Sequence, residues 1–295
     1  MTPEGSPTTP SWTVARVLQW AAQDFGGRGI DSPRLDAELL LGEVLGYDRI
    51  KLIIEAQRPL AADELTRYRE LIKRRRAGEP VAYLLGSREF YGLTFQVDRR
   101  VLIPRPDTEV LVEVALELTR PRSMFGRALD LCTGSGCVAI AFARQRRTWQ
   151  VIATDRSAAA LDVARENALR LGAVHNTAFA EGDLFAAVDS EHRFDLITAN
   201  PPYISATEYQ SLDIGIREFE PREALAGGDD GLQIIGRLVA EAPRHLAPGG
   251  GLAIEIGYGQ GPETRKLFES AGFADVAVRR DYGRRDRVVS GRWPG

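Results

Sequence analysis

The residues of this chain best suited to chemistry lie at 200–203, where the apolar run FDLITA is followed by Asn-Pro-Pro-Tyr. Proline has no amide donor and a fixed φ, and it holds the preceding residue in an extended conformation. Asn200 is therefore predicted to end a strand, held by the stiff turn of Pro201 and Pro202. The Asn200 side-chain oxygen and the Pro201 carbonyl can accept both N–H groups of a planar amide or amine, while Tyr203 stacks on its plane. The expected chemistry is direct transfer of a group to a nitrogen whose lone pair is delocalised.

A second candidate site is the glycine-rich turn DLCTGSG, which begins at Asp130 between a predicted strand and a predicted helix. Gly134 and Gly136 would let the backbone approach a ligand closely, beside the amide donors at the start of the helix. Asp155, at the end of the next predicted strand, is placed where a carboxylate binds ribose hydroxyls. This pattern alone fits either a nicotinamide dinucleotide or another adenosine-containing cofactor.

The carboxylate of Asp130 favours one of these cofactors. At the end of its strand it would repel a pyrophosphate, whereas it suits the cationic amino group of S-adenosylmethionine. Asp183, in GDLF after the third strand of the alternating region, could accept a hydrogen bond from the adenine amino group. With that cofactor above the sheet, the NPPY segment comes beside the methyl group. The sequence therefore predicts direct methyl transfer to nitrogen, with no general base, metal or covalent intermediate.

Helical patterns dominate the chain before these motifs. Residues 1–10 are polar and proline-rich and are predicted to be disordered. Apolar residues at helical spacing predict a small N-terminal helical domain over 11–86, with caps at Ser11 and Ser32. Alternating aromatic and β-branched residues over 87–103 predict a connecting β-hairpin.

Strands and helices alternate within residues 104–295, from RALDL at Arg127 onward. Such alternation predicts an α/β domain with a doubly wound, mostly parallel sheet and helices on both faces. Two final strands with no helix between them predict an antiparallel hairpin at the sheet edge. The long connection at 204–228 is predicted to form a wall of the substrate cleft, because long loops in compact domains are often functional.

The composition speaks against several classes of function. The chain has 295 residues, of which 44% are hydrophobic and 27% are charged. Its net charge of −3 argues against a protein whose main function is to bind nucleic acid. Two cysteines, Cys132 and Cys137, cannot make a disulfide framework, and with three scattered histidines they suggest no metal site. The sequence has no signal-peptide pattern and no apolar run long enough to cross a bilayer, so we expect a cytoplasmic protein without membrane association.

Five segments narrow the interpretation further. They are PVAYLLGSREFYGLTFQVDRRVLIPRPDTEVLVE (80–113), DLCTGSG, NPPYI, REFEPREALAGGDDGL (217–232) and LAPGGGLAIEIGYGQ (246–260). In these segments the chain resembles the peptide chain release factor glutamine methyltransferases, a protein-(glutamine-N5) methyltransferase family among the class I S-adenosylmethionine-dependent methyltransferases. The resemblance implies a seven-stranded Rossmann-like methyltransferase sheet. It also implies methylation of the glutamine in the Gly-Gly-Gln loop of class I release factors, which modulates translation termination, with the helical domain helping to dock the release factor.

The resemblance implies a set of cofactor-binding residues. They are Asp130, Cys132, Thr133, Gly134, Ser135, Gly136, Asp155, Asp183, Leu184 and Asn200. Cys132 stands where the family usually has glycine, so its backbone is expected to avoid positive φ. Leu184 replaces a bulkier aromatic residue, so packing on the adenine is expected to be thinner.

The resemblance also implies that Asn200, Pro201 and Tyr203 hold the glutamine and act as the catalytic residues. Pro202 and Arg105 are further substrate-binding candidates. Arg105, in IPRPDTE, could instead simply pair with a carboxylate, and the sequence does not choose between these roles.

Other interpretations are compatible with parts of the sequence. A DNA or RNA adenine or cytosine amino-methyltransferase shares NPPY but would need a basic target-reading domain. A nicotinamide-dependent oxidoreductase leaves Asp130 and NPPY unexplained, and an inactive binding module leaves the intact Asn200 unexplained. Stable nucleic-acid binding is not expected. The basic stretch between Arg67 and Arg76 is interpreted as a solvated helix face in preference to a docking patch.

Overall fold

This computed structural model describes residues 12–120, 122 and 124–295. The predicted disordered segment at 1–10 and the predicted cap Ser11 lie outside those residues. The chain forms two compact units, and the boundary between them falls after Gly86.

The first unit is helical. Within residues 12–86 it contains α1 (Val14–Gly26), α2 (Pro33–Leu45), α3 (Arg49–Ile54), α4 (Ala62–Arg76) and α5 (Val81–Leu85). The sequence predicted α1, α2 and α4, whereas α3 and α5 are too short for apolar spacing to reveal. The N-cap of α1 is Thr13, whose hydroxyl accepts a hydrogen bond from the Arg16 amide at 3.4 Å. Ser32 occupies the N-cap position of α2, as predicted, but its side chain makes no capping hydrogen bond.

Ion pairs within this unit engage most of the basic stretch on α4. The pairs are Arg67–Asp63, Arg74–Glu79, Arg75–Asp36 and Arg76–Asp24. The opposite face of α4 contributes Tyr68 and Ile72 to the hydrophobic core of the unit, together with Phe25 and Leu40. A solvated, ion-paired face therefore describes this stretch better than a free cationic docking patch.

The second unit begins with the predicted hairpin. Its strands β1 (Ser87–Phe90) and β2 (Leu93–Gln96) pair antiparallel. Phe90 and Phe95 are buried in the same hydrophobic cluster as α6 (Glu109–Thr119). The hairpin is therefore an integral part of the second unit and not a free linker.

Seven further strands form one sheet within residues 124–295. They are β3 (Arg127–Leu131), β4 (Gln150–Asp155), β5 (Thr177–Glu181), β6 (Phe194–Ala199), β7 (Leu246–Glu255), β8 (Ala274–Arg280) and β9 (Asp286–Arg292). The order across the sheet is β5-β4-β3-β6-β7-β9-β8, and β9 is antiparallel to both of its neighbours while the other pairs are parallel. The predicted seven-stranded, mostly parallel α/β sheet with an antiparallel edge hairpin is confirmed.

The remaining helices cover the sheet or lie in its loops. They are α7 (Cys137–Gln145), α8 (Ala158–Arg170), α9 (Ala206–Gln210), α10 (Ile214–Arg217), α11 (Gln233–Glu241) and α12 (Gly261–Ser270). The predicted long connection at 204–228 thus contains two short helices, α9 and α10. Within the described ranges, none of the helices has both the length and the apolar character that a bilayer span requires.

The register of the central strands brings the two candidate motifs together. Ala128 and Leu129, adjacent on β3, enter different hydrophobic clusters, one formed with α6 and α7 and the other with α11 and α12. The strand is therefore buried on both faces, as in doubly wound folds. On the parallel strands β3 and β6, Leu131 lies opposite Ala199. The glycine-rich turn and the NPPY segment consequently leave the sheet side by side.

Candidate active site

A pocket opens at the carboxyl ends of β3, β4 and β6, and most of the predicted site residues line it. Those in its wall are Asp130, Cys132, Thr133, Gly134, Ser135, Asp155, Asp183, Leu184, Asn200 and Pro202. The wall also includes residues 100–102 and part of the 204–228 connection, namely Pro221, Glu223, Ala224 and Ala226. Four predicted residues, Gly136, Pro201, Tyr203 and Arg105, lie outside this wall.

Asp130 is buried, and hydroxyl groups donate to both of its carboxyl oxygens. Thr133 donates to Oδ2 at 2.6 Å and Thr198, from the neighbouring strand β6, donates to Oδ1 at 2.7 Å. Burial raises the pKa of the Asp130 carboxyl to about 6, and the two hydroxyl donors oppose that shift. At neutral pH the group is therefore mostly ionised and is held by neutral donors. Such a carboxylate is suited to offset the charge of a bound cation.

Asp155 closes the glycine-rich turn from the end of β4. The Gly134 amide donates to its Oδ2 and the Ser157 amide donates to its Oδ1, both at 2.9 Å. Burial raises the pKa of this carboxyl, and the two backbone donors oppose the shift. Each oxygen retains lone-pair capacity for a further donor, as binding of a ribose diol requires.

Both glycines of the turn have a positive φ, and at Gly136, where φ is +79°, close packing is a second reason for glycine. Gly134 has a φ of +55°, and a Cβ there would meet no atom within 4 Å, so glycine is favoured by its backbone conformation. A Cβ at Gly136 would lie 2.9 Å from Ile140 and 3.2 Å from Ala164. Glycine at 136 thus permits close packing of α7 against α8, and it lies outside the pocket wall.

The expectation for Cys132 was wrong. Its φ is +57°, in the left-handed region that non-glycine residues rarely adopt. The turn imposes this conformation, because the next amide, from Thr133, donates to the Thr154 carbonyl at 3.0 Å. The Cys132 side chain packs against the cluster formed with α11 and α12. Leu184 also has a positive φ, +50°. Two strained residues therefore face the same pocket, as is common at functional sites.

Asp183 is engaged by a basic residue. Arg237 on α11 donates to Asp183 Oδ2 at 2.6 Å, and both side chains are about half exposed. The predicted hydrogen bond from the adenine amino group would therefore go to Oδ1, the oxygen that this ion pair does not use.

Asn200 is oriented by a contact from outside the sheet. Its Nδ2 donates to the hydroxyl oxygen of Thr108 at 3.4 Å, so that the amide oxygen lies on the other side of the side chain. Thr108 ends the 3₁₀ helix Pro106–Thr108, which leads into α6.

Tyr203 is held at both its ring and its backbone. The phenol hydroxyl donates to Glu255 Oε1 at 3.3 Å, and the Tyr203 carbonyl accepts a hydrogen bond from Gln260 Nε2 at 3.0 Å. Burial is the main cause that raises the pKa of the phenol. The hydroxyl thus points away from the pocket wall, which leaves only the ring available for stacking.

Arg105 pairs with a carboxylate, which is the second of its two predicted roles. Its guanidinium contacts Glu220 Oε1 at 2.5 Å, and Glu220 Oε2 accepts the Ile103 amide at 3.1 Å. Glu220 is buried. The pair connects the IPRPDTE segment with the connection that follows NPPY. A substrate contact of Arg105 stays a prediction.

The sequence interpretation missed Thr108, Thr198 and Glu255, which lie directly behind the predicted residues. Glu255 at the end of β7 is buried, which raises its pKa to about 7. An acidic residue inside the apolar run GLAIEI is unusual and could have indicated a functional position, but the sequence interpretation gave Glu255 no role. Thr108 and Thr198 gave no such signal, since buried threonines are ordinary in helices and strands. Among the described residues, no group of three or more metal-ligating side chains is arranged to hold a metal ion.

Comparison with known proteins places this site in a family. The PrmC N-terminal domain matches residues 16–86, and the Methyltransferase small domain matches residues 106–217. A release factor glutamine methyltransferase of Geobacter sulfurreducens is 42% identical over 95% of this chain and 97% of its own. One from Xylella fastidiosa is 47% identical over 89% of this chain and 94% of its own. The chain belongs to the release factor glutamine methyltransferase family.

The fold of this member of the release factor glutamine methyltransferase family is similar to that of a solved methyltransferase. A methyltransferase structure from Pyrococcus furiosus has a TM-score of 0.52 at 20% identity, covering 70% of this chain and 91% of that one. This likeness supports the methyltransferase fold alone. Family membership does not favour the nucleic-acid amino-methyltransferase alternative.

Proposed function

We propose that this chain transfers a methyl group from S-adenosylmethionine to N5 of the glutamine in the Gly-Gly-Gln loop of class I peptide chain release factors. Membership of the release factor glutamine methyltransferase family supports the activity and the substrate. The observation that carries the assignment of the site is the position of Asn200, whose side chain lines the same pocket as Asp130 and Asp155. The product would modulate translation termination.

The residues of the pocket fit S-adenosylmethionine by charge and by hydrogen-bonding capacity. Asp130 offers a buried carboxylate to the cationic amino group of the methionine part. Asp155 offers carboxylate oxygens to the ribose hydroxyls, and Gly134 leaves space above the turn. Thr133 and Ser135 complete the wall. Asp183 and Leu184, also in the wall, would lie beside the adenine.

The catalytic contribution of the chain is to orient and polarise a poor nucleophile. S-adenosylmethionine, when bound, supplies an electrophilic methyl group on a sulfonium. The Asn200 side-chain oxygen and the Pro201 carbonyl accept the two N–H groups of the glutamine amide, which directs the nitrogen lone pair toward the pocket. Their partial negative charges stabilise the positive charge that develops on nitrogen. As the N–CH3 bond forms and the bond between methyl and sulfonium breaks, S-adenosylhomocysteine would be left behind. One of the two N–H protons would pass to water, which restores a neutral, N-methylated amide, and Tyr203 would stack on the amide plane throughout.

We assign the other parts of the chain roles around this reaction. Residues 11–86 would form the domain that helps to dock the release factor, and 104–295 the methyltransferase domain, preceded by the hairpin region 87–103. The match of the PrmC N-terminal domain to residues 16–86 supports this division. We place the chain in the cytoplasm, where release factors act. We expect it to form no stable complex with nucleic acid.

Methyl-labelled S-adenosylmethionine, the purified protein and a class I release factor test the proposal directly. The matched control is the same release factor with the loop glutamine replaced by alanine. We expect label on the first and none on the second. Label on neither, with label entering DNA or RNA, would replace the proposal with the nucleic-acid alternative.

A further inference from the structure

Asn200 and Tyr203, the two candidate side chains of the NPPY segment, are connected to the same buried carboxyl group. Tyr203 reaches Glu255 directly, through the hydrogen bond from its hydroxyl to Oε1 at 3.3 Å. Asn200 reaches it through Thr108, which accepts a hydrogen bond from Nδ2 at 3.4 Å. The Thr108 hydroxyl in turn lies close enough to the Glu255 carboxyl to lower the pKa of that group.

The connecting residues are almost completely inaccessible to water. Thr108 and Glu255 are each 1% exposed. Glu255 Oε2 is buried and has no partner in hydrogen-bond geometry among the described residues. Burying a polar atom in this state costs free energy, so its presence requires a reason beyond packing.

Charged groups act on this carboxyl from two elements, β9 and the 3₁₀ helix before α6. Arg287, on β9, stabilises the ionised form of Glu255, whereas Asp107, beside Thr108, opposes ionisation. Arg287 itself pairs with Asp107 at 3.3 Å and with Asp281 at 3.2 Å. Glu255 thus lies close to charges on the segment before α6 and on β9.

We infer that Thr108 and Glu255 are positioning residues, which hold the Asn200 amide and the Tyr203 ring in the orientation needed for methyl transfer. The expected effect on kcat rests on the proposed function. The expected effect on the orientation of the Asn200 amide does not. Neither residue lines the pocket, and neither touches the reacting atoms. Each acts through the NPPY residue that it contacts.

The orientation of Asn200 is the property that Thr108 controls. A side-chain amide has a donor end and an acceptor end of nearly the same shape, and a 180° rotation exchanges them. Only the acceptor end can hold an N–H group of the glutamine. Because Thr108 accepts from Nδ2, it fixes the donor end and leaves Oδ1 for the substrate. Without the hydroxyl, the amide can present either end.

Nuclear magnetic resonance of the side-chain amides tests the structural part without any substrate. The chain has three asparagines, so selective ¹⁵N-asparagine labelling gives three side-chain NH₂ groups, and Asn200→Ala identifies the one of interest. We expect Thr108→Val to shift the Asn200 signals and to speed their exchange with solvent, and Thr108→Ser to restore both. Asn167 and Asn176, whose Nδ2 groups donate to backbone carbonyls elsewhere, are internal references and should not change.

Kinetics of the purified full-length enzyme test the functional part. With saturating S-adenosylmethionine and release factor, Thr108→Val should lower kcat by about twofold to tenfold, the loss expected for one hydrogen bond. The dissociation constant of S-adenosylmethionine should stay at the wild-type value, and Thr108→Ser should recover kcat. Glu255→Gln, which keeps an acceptor for the Tyr203 hydroxyl, should retain more of kcat than Glu255→Leu, which removes that acceptor.

The two measurements separate this inference from the proposed function. Asn200 signals that are identical in wild type and Thr108→Val would overturn the positioning role, as would a Thr108→Ser enzyme no better than Thr108→Val. If the wild-type enzyme methylates no release factor while the amide signals respond as expected, the proposed function fails and the positioning contact stands.

Discussion

The Gly134 amide donates a hydrogen bond to Asp155 Oδ2 at 2.9 Å, which joins the glycine-rich turn after β3 to the end of β4. The carboxylate that is proposed to bind ribose therefore also fixes the glycine-rich turn, which is proposed to bind the same cofactor. Asp155 is thus proposed to serve the ligand site in two ways, through direct contact with ribose and through the conformation of the neighbouring turn.

This double role predicts the effects of two substitutions at Asp155. Asp155→Ala should weaken S-adenosylmethionine binding by about 1.5–3 kcal/mol, the value of hydrogen bonds to a charged acceptor. Asp155→Asn keeps one acceptor oxygen and should lose less. Isothermal titration calorimetry measures both, with Asp162→Ala on the exposed face of α8 as a control for the change in net charge. Unchanged affinity in Asp155→Ala would mean that ribose binds elsewhere.

Asn200→Ala should separate turnover from cofactor binding. We expect kcat to fall by about a hundredfold or more, as on removal of one preorganised group that stabilises transition-state charge. The affinity for S-adenosylmethionine should change little, because the proposed partner of the Asn200 oxygen is the glutamine amide. The exposed amide of Gln145, at the end of α7, provides the control Gln145→Ala, which should keep full activity. Equal losses of rate and affinity in Asn200→Ala would contradict the assigned role.

The affinity for S-adenosylmethionine should depend on pH through Asp130. The raised pKa of its carboxyl, about 6, means that the group is charged above this pH and neutral below it. The methionine amino group is cationic below its ordinary pKa of about 8. Binding should therefore be strongest between these values and weaken as the pH falls through 6.

Calorimetry at a series of pH values checks this dependence. Asp130→Asn should bind more weakly at pH 7, and its affinity should no longer decrease between pH 7 and 5. A decrease that is the same in wild type and Asp130→Asn would assign the titration to another group.

The left-handed conformation of Cys132 predicts an unusual order of stabilities. A side chain in this region costs about 1–2 kcal/mol, which glycine avoids. Cys132→Ala and Cys132→Gly both lose the packing of the thiol, but only the glycine variant relieves the backbone. We expect Cys132→Gly to be more stable than Cys132→Ala by about 1 kcal/mol in urea unfolding. The usual opposite order would mean that the turn is not strained at this residue.

Much of this arrangement could be predicted from local sequence, and the failures have identifiable causes. The alternation of strands and helices fixed the sheet, and the two prolines after Asn200 located the candidate site. By contrast, α3, α5, α9 and α10 have four to six residues, too few for a helical period to repeat. The φ of Cys132 follows from hydrogen bonds to the neighbouring strand, which override the preference of the residue itself.

The supporting residues of the site were the hardest to predict. Thr108 and Asn200 are separated by 92 positions, and Tyr203 and Glu255 by 52. No local pattern records such contacts, because they arise only when the strands have been brought together. Segments 80–113 and 246–260 resemble a known family and contain Thr108 and Glu255 respectively, but the resemblance gives no physical reason for either residue.

The place of β9 in the sheet has a consequence for how the protein is made. This strand comes last along the chain but lies between β7 and β8 and pairs with both. Before residues 286–292 leave the ribosome, β7 has an open edge and β8 has no neighbour, so the nascent chain exposes unpaired backbone that could aggregate. Glu255, at the end of β7, also lacks the nearby charge of Arg287 until then. The sheet that carries the candidate active site is thus complete only after residues 286–292 have been translated.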